Sequence, residues 1–135
     1  MFSKKILTLL ALLIIFSSNI VKVYSIEPDI FIQSTVNRAS EALNNKYSKE
    51  EKIEKLKQIA NETVDINGIG FYTLGAYRKN ISEDEAKQYA ILFRQYFLKS
   101  FSSRLAEYSN PEIDVISKKK LNENYTIVYS ILVAT

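Results

Sequence analysis

Few side chains in this sequence have the types and spacing that chemistry requires. None of its 135 residues is histidine or cysteine, which removes the commonest general base, the commonest metal ligand and every thiol nucleophile. The carboxylates left as acid–base candidates are Asp65 and the run Glu83-Asp84-Glu85. Acid–base chemistry needs a placed partner, and none adjoins them, whereas acidic residues are favoured in the first turn of a helix. We therefore predict that the protein is not an enzyme and has no catalytic residue, metal site or cofactor.

All three glycines lie in one apolar stretch, INGIGFYTLGAY. Gly68 and Gly70 lack the third glycine of a dinucleotide-binding fingerprint, and no Gly-Lys-Ser/Thr follows them for a phosphate loop. Two interpretations stay open: the glycines permit a kink and close helix packing, or they and Gly75 form the hinge of a broken helix that flexes over an apolar ligand. Arg78 and Lys79 follow directly. They are either phosphate ligands through charge-assisted hydrogen bonds or surface cations without a specific role.

The N-terminus has the order of segments found in a secretory signal peptide. A basic start with Lys4 and Lys5 precedes an uninterrupted apolar run, ILTLLALLIIF, and compact residues then precede a cleavage point after Ser25. A membrane anchor is the alternative, but a spanning helix needs about 20 apolar residues, and polar residues from Ser17 onward interrupt this run earlier. We predict that residues 1–25 are a cleaved signal peptide and that the product is exported.

The net charge of +3 belongs to this leader. Lys4, Lys5 and Lys22 are the only charged residues before Ile26, so the rest of the chain has 15 basic and 15 acidic residues. No basic stripe with interleaved aromatic residues remains, and we therefore expect no nucleic acid partner. The run Lys118-Lys119-Lys120 is interpreted as part of a solvated hairpin turn.

Hydrophobic periodicity divides the rest of the chain into helices followed by strands. Apolar residues recur at three- and four-residue spacing in the helical segments, and the pairs Ser48–Glu51 and Ser82–Glu85 have the S-x-x-E spacing of capping boxes. Alternating apolar and β-branched residues indicate strands near the C-terminus. The predicted helices span residues 28–47, 48–63, 66–77 and roughly 83–108, and the predicted strands span 112–117 and 125–134, with a polar turn at 118–124.

The longest predicted helix and the last strand are apolar on more than one side. Phe93, Phe97 and Phe101 lie on one face of that helix, and Ile91 and Leu98 lie on another. A helix of this kind is covered on more than one side or lines a cavity. The last strand has apolar residues on both faces, which predicts an inner strand covered on both sides. An inner strand needs neighbours on both edges, so a single hairpin leaves the sheet incomplete.

An ordered set of short motifs follows the predicted second helix. The motifs are Asp65, Leu74-Gly75-x-Tyr77-Arg78, Ile81-Ser82 at a helix start, Phe93-Arg94-x-Tyr96-Phe97, and Ser103-x-Leu105-Ala106-x-Tyr108 leading into Ile113 to Ile116. Each motif is mainly a pattern of apolar and small residues, so their order and spacing carry the information. The set resembles the MlaC/Ttg2D family of toluene-tolerance proteins, the periplasmic phospholipid-binding components of the Mla transport system for outer-membrane lipid asymmetry.

This resemblance implies an α+β fold in which N-terminal helices pack on a twisted antiparallel sheet. Residues 26–135 are then the N-terminal part of one lipid-binding domain, with only the first hairpin of its sheet. The resemblance implies a monomeric periplasmic carrier that binds acyl chains in an apolar pocket and shuttles phospholipid between membranes. Its implied partners are an inner-membrane ABC transporter and an outer-membrane lipoprotein of the Mla type. The alternative is a truncated remnant without function, or a fragment that binds a protein partner.

The expected site combines this resemblance with the apolar pattern. The lipid tails are expected to contact the glycine stretch, the aromatic helix and the last strand, and the head group is assigned to Arg78 and Lys79. The glycines are assigned to the hinge. The expected lining residues are Ile66, Ile69, Phe71, Leu74, Phe93, Phe97, Phe101, Ile127, Tyr129 and Ile131, and the hinge residues are Gly68, Gly70 and Gly75.

Overall fold

The computed structural model describes residues 25–134, so the predicted signal peptide lies outside the described residues except for Ser25. Helices are followed by one β-hairpin, which confirms the predicted α+β arrangement. No helix within residues 25–134 is long and apolar enough to cross a membrane. The elements are α1 (Pro28–Ala42), α2 (Lys49–Thr63), α3 (Ile66–Thr73), a 3-10 helix (Gly75–Lys79), α4 (Glu83–Leu105), β1 (Glu112–Lys120) and β2 (Thr126–Ala134).

Capping boxes begin α2 and α4, as predicted. The Glu51 amide donates to the Ser48 hydroxyl at 3.2 Å, and the Ser48 amide donates to the Glu51 carboxylate at 2.8 Å. The corresponding distances between Ser82 and Glu85 are 3.3 and 2.8 Å. In both boxes the serine amide lowers the pKa of the glutamate, because the hydrogen bond stabilises the charged carboxylate. Each box pairs two amides that a helix N-terminus otherwise leaves without a partner.

The first and last helices end earlier than predicted. α1 ends at Ala42 rather than at residue 47. The Asn44 side chain there accepts a hydrogen bond from the Lys46 amide at 3.0 Å, and asparagine favours turns through such local bonds. α4 ends at Leu105, before Asn110, whose φ of 49° lies in the left-handed region. The periodicity therefore identifies these helices but overestimates their length.

The core lies where α1, α2 and the C-terminal end of α4 meet. Leu56 is 1% exposed, and α1 contacts both α2 and the hairpin, while α4 contacts α2 and α3. These contacts bury the apolar faces that the three- and four-residue spacing predicts. The buried core residues are Ala42, Leu43, Leu56 and Ala106, with Ala39, Ile53, Ile59 and Leu105 packed against them.

The hairpin pairs β1 and β2 antiparallel, with two irregularities in register. Its turn is closed by the Leu121 amide, which donates to the Tyr125 carbonyl at 2.8 Å. The predicted turn at 118–124 begins too early, because the lysines at 118–120 belong to β1. Lys118 Nζ lies 2.7 Å from a carboxylate oxygen of Glu27 and 2.7 Å from one of Asp29. These ion pairs connect β1 to the start of α1.

The prediction that β2 is an inner strand covered on both sides is wrong for residues 25–134. β2 pairs only with β1 among the described residues. Its side chains alternate between half-buried Val128, which lies opposite Lys118, and exposed Ile127 and Tyr129. Since Lys118 reaches carboxylates at the start of α1, Val128 marks the face that α1 covers, and Ile127 and Tyr129 mark the uncovered face. The apolar pattern gives a strand correctly but does not say which faces are covered.

Candidate functional site

Four aromatic rings form a stack along α4. Tyr89, Phe93, Phe97 and Phe101 are four residues apart, which places them on one helix face. Successive ring centroids lie 5.8, 6.1 and 5.3 Å apart, and the rings are inclined to one another by 25°, 27° and 11°. The structure thus brings together the three phenylalanines that the sequence assigns to the lining. We refer to these four residues as the aromatic stack.

The aromatic stack contacts α3 at a glycine. Gly70 is buried, and a Cβ atom there would lie 2.7 Å from Cδ1 of Phe93. A side chain at this position would displace the ring, so glycine allows the close helix packing that was one of its two interpretations. The Thr73 hydroxyl also lies 2.7 Å from the Tyr89 hydroxyl. The hinge assignment of the glycines stays a prediction.

Asp65, the first acid–base candidate, caps a helix. Its carboxylate accepts a hydrogen bond from the Gly68 amide at 2.9 Å at the start of α3. In the acidic run, Glu83 pairs with Lys87 at 2.8 Å, and Glu85 belongs to the α4 capping box. Within residues 25–134 no group of three or more acidic side chains is placed to hold a metal ion. These carboxylates therefore have observed structural roles at helix N-termini.

The predicted lining residues of the glycine stretch separate into two environments. Ile66 is buried and Leu74 is half-buried, whereas Ile69 and Phe71 are exposed. Gly75 has a φ of +56° and joins α3 to the 3-10 helix. Beyond it, Arg78 and Lys79 are exposed at the end of that helix, so the predicted head-group residues lie at the surface of the molecule.

An apolar cavity of about 190 Å³ lies between the helices and the hairpin. Phe101 from the aromatic stack lines it together with Ile113 of β1, and no charged residue is among the described residues of its wall. A second cavity of about 180 Å³ adjoins it and shares Ile113 and Leu105. Of this wall the sequence assigned only Phe101 to the lining, although helical spacing placed Val36 and Leu56 on apolar helix faces. The missed residues include Val36, Ile59, Val64, Leu105 and Ile113.

The predicted lining residues of β2 do not join this cavity. Ile127, Tyr129 and Ile131 alternate with the side chains that face α1, and all three are exposed on the uncovered face of the hairpin. Leu132 points instead to the α1 side and lines the second cavity. The predicted site is therefore divided in residues 25–134 between a partly open apolar cavity beneath the helices and an external apolar face of β2.

Comparisons with known proteins give one match. The family model described as MlaC protein matches residues 33–135, which is more than half of the chain. Searches of the curated proteins and of the solved structures found no match. The matched range includes the aromatic stack, the cavity wall and the hairpin. The extent of this match shows that the chain belongs to the MlaC protein family.

Proposed function

We propose that the chain is a periplasmic carrier that binds a phospholipid by its acyl chains and moves it between membranes without catalysing a reaction. Its membership of the MlaC family suggests phospholipid binding and transport. The implied partners are membrane complexes of the Mla type at the inner and outer membranes. The predicted signal peptide motivates the proposed location, and a mass measurement of the mature N-terminus after export tests it.

The uncharged cavity between helices and hairpin carries this proposal. An apolar cavity of about 150 Å³ accommodates a benzene molecule, so a cavity of about 190 Å³ suits the end of one acyl chain. Pockets for whole drug-sized ligands are larger, about 300–1,000 Å³. The remainder of a phospholipid therefore needs further apolar surface, and the aromatic stack adjoins this cavity through Phe101.

Carriage of lipid requires burial rather than reaction. Each CH₂ group moved from water to an apolar site is stabilised by about 0.8 kcal/mol, so an exposed pair of acyl chains is strongly disfavoured. A cavity lined by Phe101, Leu105 and Ile113 replaces part of the bilayer around a chain. The free energy of the lipid is then similar in the membrane and in the carrier, so its transfer needs no chemical reaction and no cofactor.

Extraction of the protein purified from a bacterial periplasm tests the proposal. Organic solvent should release close to one phospholipid per monomer, identified by mass spectrometry. In Phe97→Asp, a carboxylate replaces the central ring between Phe93 and Phe101. We expect at least a tenfold loss of bound lipid, because burying an unpaired charge beside acyl chains costs well over the roughly 1.4 kcal/mol that a tenfold change represents.

A matched control separates a lost site from a lost fold. Phe31 on α1 is 38% exposed and lies outside both cavities and outside the aromatic stack, to which Phe97 belongs. Phe31→Asp should keep its lipid, and both variants should keep the helical circular-dichroism spectrum. Unchanged lipid in Phe97→Asp would remove the aromatic stack from the site. A folded wild-type monomer without lipid would contradict the carrier function.

The hairpin favours a second candidate function, the binding of a protein partner. Ile127, Tyr129 and Ile131 are exposed on one face of β2, and β2 pairs only with β1 among residues 25–134. An uncovered apolar strand is a template for strand addition by another chain. A folded, lipid-free product in the extraction experiment would favour this function over lipid carriage.

A further inference from the structure

The helix α3 is apolar around its circumference but packed on one side only. Gly70 lies against Phe93, and the Thr73 hydroxyl bonds to Tyr89, so these residues mark the packed side. At 3.6 residues per turn, Phe71 and Tyr72 point away from that side. Tyr72 is 79% exposed. Helices with apolar residues on every side are typically covered by protein or by membrane, and α3 has an uncovered aromatic face.

The segment that contains α3 and the 3-10 helix is also basic. Between Asp65 and Glu83 the sequence has no acidic residue, and its charged residues are Arg78 and Lys79. Both are exposed, and neither forms an ion pair with a residue in the described range 25–134. The next acidic side chains are Glu83, Asp84 and Glu85 at the start of α4, where Glu83 pairs with Lys87 and Glu85 completes the capping box. We call residues 66–79 the apolar–basic segment.

We propose that the apolar–basic segment docks on the surface of an anionic phospholipid bilayer. Tyrosine is enriched where a protein meets the head-group layer, because its ring is apolar and its hydroxyl is wet. Tyr72 and Tyr77 are 79% and 76% exposed, and Arg78 and Lys79 lie beside them. Basic residues are attracted to anionic lipid head groups, and apolar side chains of an interfacial helix enter the boundary with the acyl chains.

This docking rests on the proposed carrier function and adds a place where lipid enters. The apolar–basic segment contacts the aromatic stack at Gly70 and Thr73. The stack then continues along α4 from Tyr89 to Phe101, about 18 Å at 1.5 Å per residue. Its far end lines the apolar cavity. An acyl chain that leaves a bilayer at the outer face of α3 passes around this short helix to its packed side, where the row of aromatic rings leads to the cavity.

Binding to vesicles tests the role of the charges. Wild-type protein exported to and purified from the periplasm is titrated with vesicles of phosphatidylcholine containing phosphatidylglycerol, and with pure phosphatidylcholine. We expect Arg78→Glu/Lys79→Glu to weaken binding to the anionic vesicles by at least about twenty-fold, since each basic residue near an anionic surface contributes roughly fivefold. Lys99→Glu/Lys119→Glu makes the same change in net charge at two other exposed lysines and should cost less than about threefold, because charges more than about 10 Å away are screened.

The tyrosines are tested by a second matched pair. Tyr72→Ser/Tyr77→Ser should weaken binding to the anionic vesicles by at least about tenfold, because both rings lose their interfacial contact. Tyr96 and Tyr125 are 69% and 67% exposed and lie outside the segment, so Tyr96→Ser/Tyr125→Ser should leave binding within about threefold of wild type, the scatter expected of surface substitutions. Circular dichroism of all four variants should match wild type, since every substituted side chain is exposed.

Bound lipid is measured separately, so the two proposals fail in different ways. A wild-type protein that carries lipid but does not bind anionic vesicles overturns the docking and leaves the carrier function intact. Equal binding to pure phosphatidylcholine, or equal losses in segment and control variants, also overturns it. Vesicle binding that depends on the segment in a protein without extracted lipid supports the docking and contradicts the carrier function.

Discussion

The helical layer and the hairpin are stabilised in different ways. In the helices, capping boxes pair the first amides of α2 and α4, and Leu56 and Ala60 are almost completely buried between neighbouring helices. In the hairpin, most apolar side chains of β2 are exposed, and Ile131 is 49% exposed. The interface of α1, α2 and the end of α4 therefore buries its apolar residues for stability, while the outer face of β2 leaves its apolar residues uncovered among the described residues.

Polar contacts fix the hairpin to α1. The Val115 amide donates to the Gln33 side chain at 3.0 Å, and Gln33 Nε2 donates to the Ile113 carbonyl at 3.4 Å. Lys118 adds ion pairs to Glu27 and Asp29. Gln33 thus occupies backbone groups on β1 that a further strand would otherwise pair with. Among the described residues, no side chain forms a comparable contact with the backbone of β2. The outer edge of β1 is therefore occupied by a side chain of α1, whereas the outer edge of β2 is uncovered among the described residues.

The largest change in the free energy of unfolding should come from a substitution in the helical core, compared with one on the outer face of the hairpin. Leu56→Ala removes a side chain that is 1% exposed and should lower the free energy of unfolding by about 2–5 kcal/mol. Ile131→Ala on the outer face should change it by less than about 0.5 kcal/mol. Urea denaturation followed by circular dichroism measures both. Comparable losses in the two variants would show that β2 is part of the stability core.

Gly70→Ala tests the packing of α3 on α4. Its Cβ would lie 2.7 Å from the Phe93 ring, and overpacking costs about 1–3 kcal/mol, which exceeds the gain of about 1 kcal/mol from helix propensity. We expect a net loss of about 1 kcal/mol of unfolding free energy. Asn67→Ala, at an exposed position of the same helix, should be neutral or slightly stabilising. A stabilised Gly70→Ala would mean that the ring moves aside freely.

Local chemistry was predictable where it depends on neighbours in sequence. Ser48 with Glu51 and Ser82 with Glu85 identify two helix starts, because each capping box is completed within four residues. The four-residue spacing of the phenylalanines likewise predicts that Phe93, Phe97 and Phe101 share a face. These parts of the fold and of the site need no information about distant parts of the chain.

The parts that could not be predicted depend on contacts between distant elements. Lys118 belongs to β1 because its backbone pairs with Val128 of β2, and its amine reaches carboxylates 89 and 91 positions away in the chain. No local pattern indicates either contact. The apolar faces of β2 look alike in sequence, so only the position of α1 decides that Val128 is covered and Ile127 is not. The cavity wall combines residues of α1, α2, α4 and β1. Hydrophobic periodicity shows that such residues are apolar and face inward, but it does not show that a cavity lies between them.

A smaller effect is expected where Gln33 joins the layers. Gln33→Ala removes two hydrogen bonds to β1, and a typical bond contributes about 1 kcal/mol. The Val115 amide should then exchange its hydrogen at least about fivefold faster, since 1.4 kcal/mol corresponds to tenfold. Ser34→Ala, at the exposed neighbouring position, should leave this rate unchanged. Equal exchange in both variants would show that the side chain of Gln33 does not stabilise the hairpin.

The smallest effect concerns the pH dependence of the ion pairs at Lys118. The hydrogen bond from Lys118 lowers the pKa of Asp29 below 3.8, so its contribution to stability is present above that value and is lost as pH falls through the lowered pKa. Hydrogen bonds to Asp29 and Glu27 raise the pKa of Lys118 above 10.5. Its contribution is therefore complete below 10.5 and is lost as pH rises through the raised pKa. The groups are well solvated, so the contribution is small.

Lys118→Met separates this contact from the acid sensitivity of the helices. Acid also protonates Glu51 and Glu85, whose lowered pKa values come from the capping boxes, so wild-type protein should lose stability in both layers below about pH 4. In Lys118→Met, hydrogen exchange in β1 should no longer respond to acid through Asp29, while α2 and α4 respond as in wild type. If hydrogen exchange in the helices and in β1 instead responds to acid in the same way in both proteins, the hairpin unfolds together with the helical layer as one cooperative unit. The two layers then differ in how they are packed but not in their stability.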